Sequence, residues 1–142
     1  MDIFSVLILT ANFWVGWSYL VLASILAVEF NDRHIEPHYY GYILSAYSLS
    51  ATFSPFFVNA LTKIMGRSKV MQLGMLLMGA SMIATGWVNL IQDNKTMIIA
   101  AILWRIFQGC FKTLIVAPSF SIIVIIHPDE KVKYSGLVEG SI

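Results

Sequence analysis

Charge is confined to a few narrow bands of this sequence, and the gaps between the bands decide what the chain is able to fold into. Asp2 and Glu29 are separated by 26 residues without a formal charge, Glu36 and Lys63 by another 26, and Lys69 and Asp93 by 23. A helix rises about 1.5 Å per residue and a hydrocarbon core is about 30 Å thick, so each gap is long enough to cross a bilayer. A fourth run, Thr96 to Ile126, is broken only by Arg105 and Lys112. The composition agrees: 58% of the residues are hydrophobic and 12% charged, with a mean hydropathy of +0.75, outside the usual range of soluble domains. A net charge of +1 leaves no electrostatic footprint for nucleic acid.

The expected fold class is all-α, a polytopic membrane helix bundle with four transmembrane helices at about 3–28, 37–62, 70–92 and 96–126. Polar breakpoints separate them: "EFNDRHIEPHYYG", "KIMGRSK" and "QDNKT", with "HPDEKVKYSG" after the fourth. The tail from Ser135 reads as the first turns of a fifth helix. No basic segment precedes the first apolar stretch, and that stretch is too long for the apolar region of a cleavable signal peptide, so the first helix is expected to stay. Cys110 is the single cysteine, which excludes an internal disulfide and points to packing.

Basic residues set the expected orientation. Lys63, Arg67 and Lys69 lie between the second and third spans, Lys131 and Lys133 follow the fourth, and the opposite side offers Arg33 and Lys95. Positive loops are retained, so the loop between the second and third helices is expected on the cytosolic-like side. Which membrane holds the chain is not legible.

Small residues recur at helical spacing: Ala46, Ser50 and Ser54 on the second span, and Gly109, Thr113, Ala117 and Ser121 on the fourth. Such stripes let helix backbones approach closely, which is how membrane helices associate without a hydrophobic driving force. Pro55 and Pro118 are expected to bend their helices. Trp14, Trp17 and Tyr19 either line a cavity or face lipid and neighbouring helices.

The two cations of the fourth span share one face. At about 100° per residue, Lys112 falls about 20° from Arg105, Ser119 about 40° and Gln108 about 60°. Phe111 and Ile115 are expected to face lipid. Insertion scales put a central cation at about 2.5 to 3.5 kcal/mol, so such residues turn to the bundle interior or to water and mark a functional site by default. Snorkelling is the alternative for Arg105, nine residues past Thr96, and a weaker one for Lys112, near the middle of the run.

"RIFQG" resembles the fourth-helix motif of the major facilitator superfamily of secondary transporters, with Arg105, Gln108 and Gly109 in the motif positions. "NALTKIMGRSK" is similar to that family's signature loop through Leu61, Gly66, Arg67 and Lys69. It departs at Asn59, Lys63 and Ile64, where the family pattern has a glycine, an aspartate and a basic residue. In the family that aspartate joins a charge network that latches the inner face. The spacing of the spans extends the resemblance over the whole chain, 1–142, and within the superfamily it looks nearest to the drug, amine and organic-anion branches. The first helix carries no central acid, unlike many proton- or amine-binding members.

The resemblance implies two six-helix halves that rock around a central site, of which this chain would be an incomplete N-terminal half. Two functions are consistent with it. One is part of a secondary active transporter for a small, anionic solute, with Arg105, Gln108, Lys112 and Ser119 facing substrate or cavity and the remaining transporter helices as partners. The other is a transporter-derived fragment serving as a non-transporting accessory subunit of another membrane protein complex. The lipid bilayer is a partner in both, and neither calls for a cofactor or nucleic acid. An enzyme is not expected, because no nucleophile has a base nearby. His34 and His38 flank Pro37 among acids and make a poor metal site. Asn94-Lys95-Thr96 matches a glycosylation sequon but abuts a membrane helix, so chance is the better explanation.

Overall fold

The computed structural model describes residues 3–88 and 90–141. Position 89, inside the expected third span, and position 142 lie outside the described residues. Among the described residues six helices follow one another: α1 Ile3–Asp32, α2 Pro37–Phe53, α3 Pro55–Met65, α4 Arg67–Val88, α5 Asn94–Ile126 and α6 Lys131–Gly140. Three of them, α1, α4 and α5, are long and apolar enough to cross a membrane.

α2 and α3 make one bent helical path. Ser54, between them, keeps helical geometry (φ −64°, ψ −23°), bonds its N–H to the Ser50 carbonyl and accepts from the Val58 N–H. The break comes from Pro55, whose missing N–H strands the Ala51 carbonyl one turn earlier. That carbonyl is rescued by hydroxyls: Ser54 Oγ lies 3.2 Å from it and Thr113 Oγ1, from α5, 3.3 Å. The two hydroxyls also bond each other at 2.8 Å. The carbonyl freed by a proline bend in an apolar helix is thereby satisfied by hydroxyls, one of them from the neighbouring helix.

The connection from α3 to α4 is far tighter than the expected loop over 63–69. Helix continues to Met65 and resumes at Arg67, with Gly66 alone between them at φ 84° and ψ 154°. A positive φ of this kind suits glycine. Lys63 sits in the last turn of α3, where the carbonyl end of the helix favours a cation. The last helix also starts earlier than the sequence suggested, at Lys131 rather than 135, because Tyr134 and Val138 are buried and one helical turn connects them.

α5 is the axis of the bundle and touches every other helix. It runs antiparallel to α4, as paired contacts along both helices show: Met71 with Ser119, Gly74 with Ile115, and Thr85 with Gln108. α2 runs parallel to α5, with Ser50 against Gly109 and Ser54 against Thr113. At one end Ser5 Oγ meets His127 Nε2 at 2.9 Å, and the His127 ring stacks on Tyr134 at 4.0 Å, which folds α6 onto α1. At the other end Arg33 pairs with Glu29 and donates to the Ile91 carbonyl at 2.6 Å. The Gly66 turn and the 127–130 turn therefore lie at the same end.

Apolar side chains fill the two ends of the bundle. Leu26, Phe30, Ile43, Met97 and Ala101 form one cluster. Ile8, Val15, Met71, Met78, Ile115, Ile123, Tyr134 and Val138 form another, with Val58, Val70 and Leu114 beside it. Large side chains such as Phe57, Leu76, Ile83 and Trp87 point outward, as a lipid-facing surface requires.

Two tests follow from this packing. A methyl group on Gly109 would fall 2.0 Å from Ser50 Oγ and 2.4 Å from the Tyr47 carbonyl, so Gly109→Ala must push α2 away and is expected to destabilise by about 3 kcal/mol. Gly79→Ala and Gly86→Ala meet nothing within 4 Å and are expected to be neutral or mildly stabilising. Tryptophan-monitored thermal unfolding in detergent separates the outcomes, and a Gly109→Ala protein as stable as Gly79→Ala would refute the close approach. At the start of α5, Asp93 accepts from the Thr96 N–H at 2.9 Å and from its hydroxyl, and these bonds hold its carboxyl below the usual aspartate range. A lowered folded-state pKa means that the cap stabilises above the unfolded value and is lost as pH falls through the folded one. The stability gap between wild type and Asp93→Ala should be present at neutral pH and close in acid; a gap independent of pH would contradict the cap.

Candidate functional site

Between the two apolar ends of the bundle lies a buried polar band, built on one stretch of α5. Arg105, Gln108, Gly109 and Lys112 recur at three- and four-residue intervals and share a face. Gly109 sits between the cations, one turn from each, and its missing side chain lets α2 dock there. That docking lays Tyr47 of α2 across both. The Arg105 guanidinium lies 5.8 Å from the Tyr47 ring centre, and Lys112 Nζ lies 5.8 Å from the same ring. Tyr19 of α1 stacks on Tyr47 at 4.7 Å, with 28° between the planes, and its own ring centre is 5.6 Å from the guanidinium.

Arg105 is 2% exposed. Among the described residues none of its three guanidinium nitrogens has a hydrogen-bond partner, and no carboxylate pairs with it. The facing helices explain why: α2 and the membrane-spanning parts of α1 and α4 contain no acid. The two tyrosine faces are the partial substitute, each contributing up to about 2 kcal/mol when desolvated. They leave the N–H groups themselves unsatisfied.

Gln108, also buried, donates through Nε2 to Thr85 Oγ1 at 2.9 Å, while its Oε1 has no partner. Thr85 passes its own proton to the Ser81 carbonyl at 2.8 Å, which Trp104 Nε1 also reaches at 2.9 Å. A cavity of about 10 Å³ opens between Thr85, Arg105 and Gln108, walled by Leu26, Val88, Ala101 and Trp104. It is about large enough for the centre of one water. Tyr47 Oη and Asn12 Oδ1 are further buried polar atoms without partners. Lys112 is half-buried.

Several expectations need correction. Ser119 shares the angular face of Arg105 but not its site: its hydroxyl bonds the Ile115 carbonyl at 2.7 Å and lies 3.8 Å from Met71 Sδ on α4. Fourteen residues along α5 are about 20 Å, so a common face does not bring the two together. Ile115, expected toward lipid, is 1% exposed in the core beside α4, and Phe111 is half-buried. Of the small-residue stripes, Ser50, Ser54, Gly109 and Thr113 meet at the α2–α5 contact. Ala117 packs beside the Val58 cluster, Ser121 is half-buried, and Ala46 lines an open groove with Tyr42, Ser45 and Leu49 on α2.

The signature-loop residues lie at the end of the bundle where α3 turns into α4. Arg67 and Lys69 are exposed, Gly66 makes the turn, and Leu61 packs beside Val58 and Val70. Trp14 and Trp17 are exposed and wall an apolar groove of about 490 Å³ between α1 and α4, together with Met75, Met78 and Met82. Tyr47 and Thr85 are the site residues that the sequence reading missed. Tyr47 stands one turn before Ser50 on the stripe face of α2, a signal that points at it once the α2–α5 contact is recognised.

Residues 4–142 match the family model of the Major Facilitator Superfamily. No curated protein and no solved structure gives a match. The match covers nearly the whole chain, and the apolar helices and lipid-facing surface fit it; this chain belongs to the Major Facilitator Superfamily, a family of multi-pass membrane transporters.

Proposed function

We propose that the chain is the N-terminal transmembrane part of a secondary active transporter that moves a small anionic solute by alternating access. In this reading α2 and α3 together form one bent span, which with α1, α4 and α5 makes four crossings, and α6 begins a fifth. Arg105 carries the reading: a guanidinium with three unpartnered nitrogens, held inside an apolar bundle without a counter-acid. A membrane protein keeps such a charge at a cost of about 2.5 to 3.5 kcal/mol only where something repays it. An oxyanion accepting from the guanidinium fork would do so, whereas a cationic solute would meet repulsion from both Arg105 and Lys112. Gln108 and Thr85 extend the polar wall beside Arg105, and the small cavity there supplies a water position at the inner edge of the site.

The basic turns at 63–69 and 129–133 face the cytosolic-like side in this reading. Both lie at one end of the bundle, and five of the seven basic residues outside α5's interior are there. Single cysteines at Ser68 and Asp129, in a Cys110→Ala background, are expected to react with an impermeant thiol reagent from the same side. Labelling from opposite sides would overturn the four-crossing topology.

Stability and binding should separate at the site. Arg105 is buried with no hydrogen-bond partner among the described residues, so an apolar side chain of similar length removes a desolvated charge without breaking an ion pair, and Arg105→Met is expected to melt no lower than wild type. It should nevertheless lose the thermal stabilisation that a panel of small organic and inorganic anions gives the wild-type protein, where a ligand at 100 times its Kd contributes about 2.7 kcal/mol. Lys112→Met should weaken the same response. An undiminished anion response in Arg105→Met would refute the anionic site.

A further inference from the structure

The geometry points to Tyr47 as a gate between two stations of one anion path, an outer one at Lys112 and an inner one at Arg105, selective for a carboxylate. This inference rests on the anionic reading of the site and adds to it a moving part and a ligand class. Three observations carry it. First, the two cations differ in access: Lys112 is half-buried while Arg105 is 2% exposed. A solute therefore meets Lys112 first and reaches Arg105 only when a covering group moves.

Second, the same ring covers both. Tyr47 lies 5.8 Å from each cation, and Tyr19 backs it at 4.7 Å while touching Arg105 alone. The Tyr47 backbone is clamped against Gly109, so displacement of this residue means rotation of the side chain and not sliding of α2. Its hydroxyl is buried without a partner, so no hydrogen bond in this arrangement holds the ring shut. Third, Arg105 presents Nε, Nη1 and Nη2 all unpaired. A planar two-oxygen group matches that fork with two parallel hydrogen bonds, and it would replace the tyrosine face that the moving ring withdraws. Gln108 gives one of its two Nε2 hydrogens to Thr85 and leaves Oε1 without a partner. The charge of the carboxylate is matched by Arg105 and Lys112.

The test reads Arg105 directly. Full protein in nanodiscs is treated with phenylglyoxal, an arginine-selective dicarbonyl, and labelling rates at Arg105, Arg67 and Arg33 are followed by peptide mass spectrometry. Exposed Arg67 is the fast internal reference, and Arg33, bonded to Glu29 and Ile91, reports intact packing. In wild type, Arg105 should label far more slowly than Arg67. Tyr47→Ala should accelerate Arg105 by about tenfold or more, the scale set by loss of one desolvated cation–π contact. Tyr47→Phe should stay slow, because the ring and not the hydroxyl does the covering.

If Arg33 labelling rises in Tyr47→Ala, showing loosened packing, Tyr47→Leu takes its place, since it keeps apolar volume without an aromatic face. Arg105 labelling that stays slow in the folded variant, or is already fast in wild type, would overturn the gate. Acetate, against chloride at equal ionic strength, should protect the accelerated Arg105. Acceleration without acetate protection would leave Tyr47 as a cover and refute the carboxylate assignment, while the anionic reading itself fails only if Arg105→Met keeps its anion response, so the failures are distinguishable.

Discussion

The close approach of α2 to α5 at Gly109 is the contact on which the rest of the bundle depends. With any side chain at that position the Ser50 hydroxyl and the Tyr47 carbonyl would be displaced, and three features would go with them. Thr113 would withdraw from the Ala51 carbonyl that Pro55 leaves without a donor. The Ser54–Thr113 hydrogen bond would lengthen. The Tyr47 ring would no longer lie between Arg105 and Lys112. Packing, backbone satisfaction and the placement of charge are therefore one event, set by a missing methyl group. In a membrane, where burying apolar surface gives no advantage over facing lipid, van der Waals fit of this kind is the principal source of association.

α4 uses the same device at Gly74, where an added methyl group would fall 2.8 Å from Leu114 Cβ and 2.9 Å from Ile115 Cγ1. α5 is thus gripped from two sides, by α2 at the polar band and by α4 nearer its end. α1 approaches with larger residues, Tyr19 and Val15 among them, and leaves the open groove walled by Trp14 and Trp17. The polar band falls where the grip by α2 is tightest, so its donors and acceptors sit in a rigid frame.

Much of this was legible in the sequence, and the remainder was not for identifiable reasons. The charge-free runs gave the apolar helices, because a bilayer imposes a minimum length on any segment that crosses it. The stripes Gly109–Thr113 and Ser50–Ser54 mark a close-approach surface on each of two helices, but the pattern does not say that these two surfaces meet each other. Periodicity also placed Arg105, Gln108 and Lys112 on one face. It misassigned Ser119 because an angle around a helix carries no information about height along it. Likewise, Ile115 looked free for lipid until α4, whose approach no pattern within α5 records, was in place. The tyrosine cover escaped for the same reason: it belongs to the face of one helix seen from another. The polar composition of the 63–69 segment predicts a loop, whereas one glycine with positive φ turns the chain and lets charged residues remain helical.

The energetics of the band explain why it is an open arrangement and not a finished one. Two tyrosine faces at about 2 kcal/mol each are comparable to the insertion penalty of about 2.5 to 3.5 kcal/mol for a cation. The rings accept no ordinary hydrogen bond, so all three guanidinium nitrogens remain without an acceptor, at a further desolvation cost of about 1–3 kcal/mol or more. An acid on α1, α2 or α4 would have closed that deficit permanently and fixed Arg105 in one ion pair, but those helices carry none in their membrane-spanning parts. The chain instead holds its arginine by two ring faces that accept no ordinary hydrogen bond. In the proposed gate, the face that Tyr47 withdraws would be replaced by the paired hydrogen bonds of a carboxylate, an exchange that a permanent salt bridge would remove.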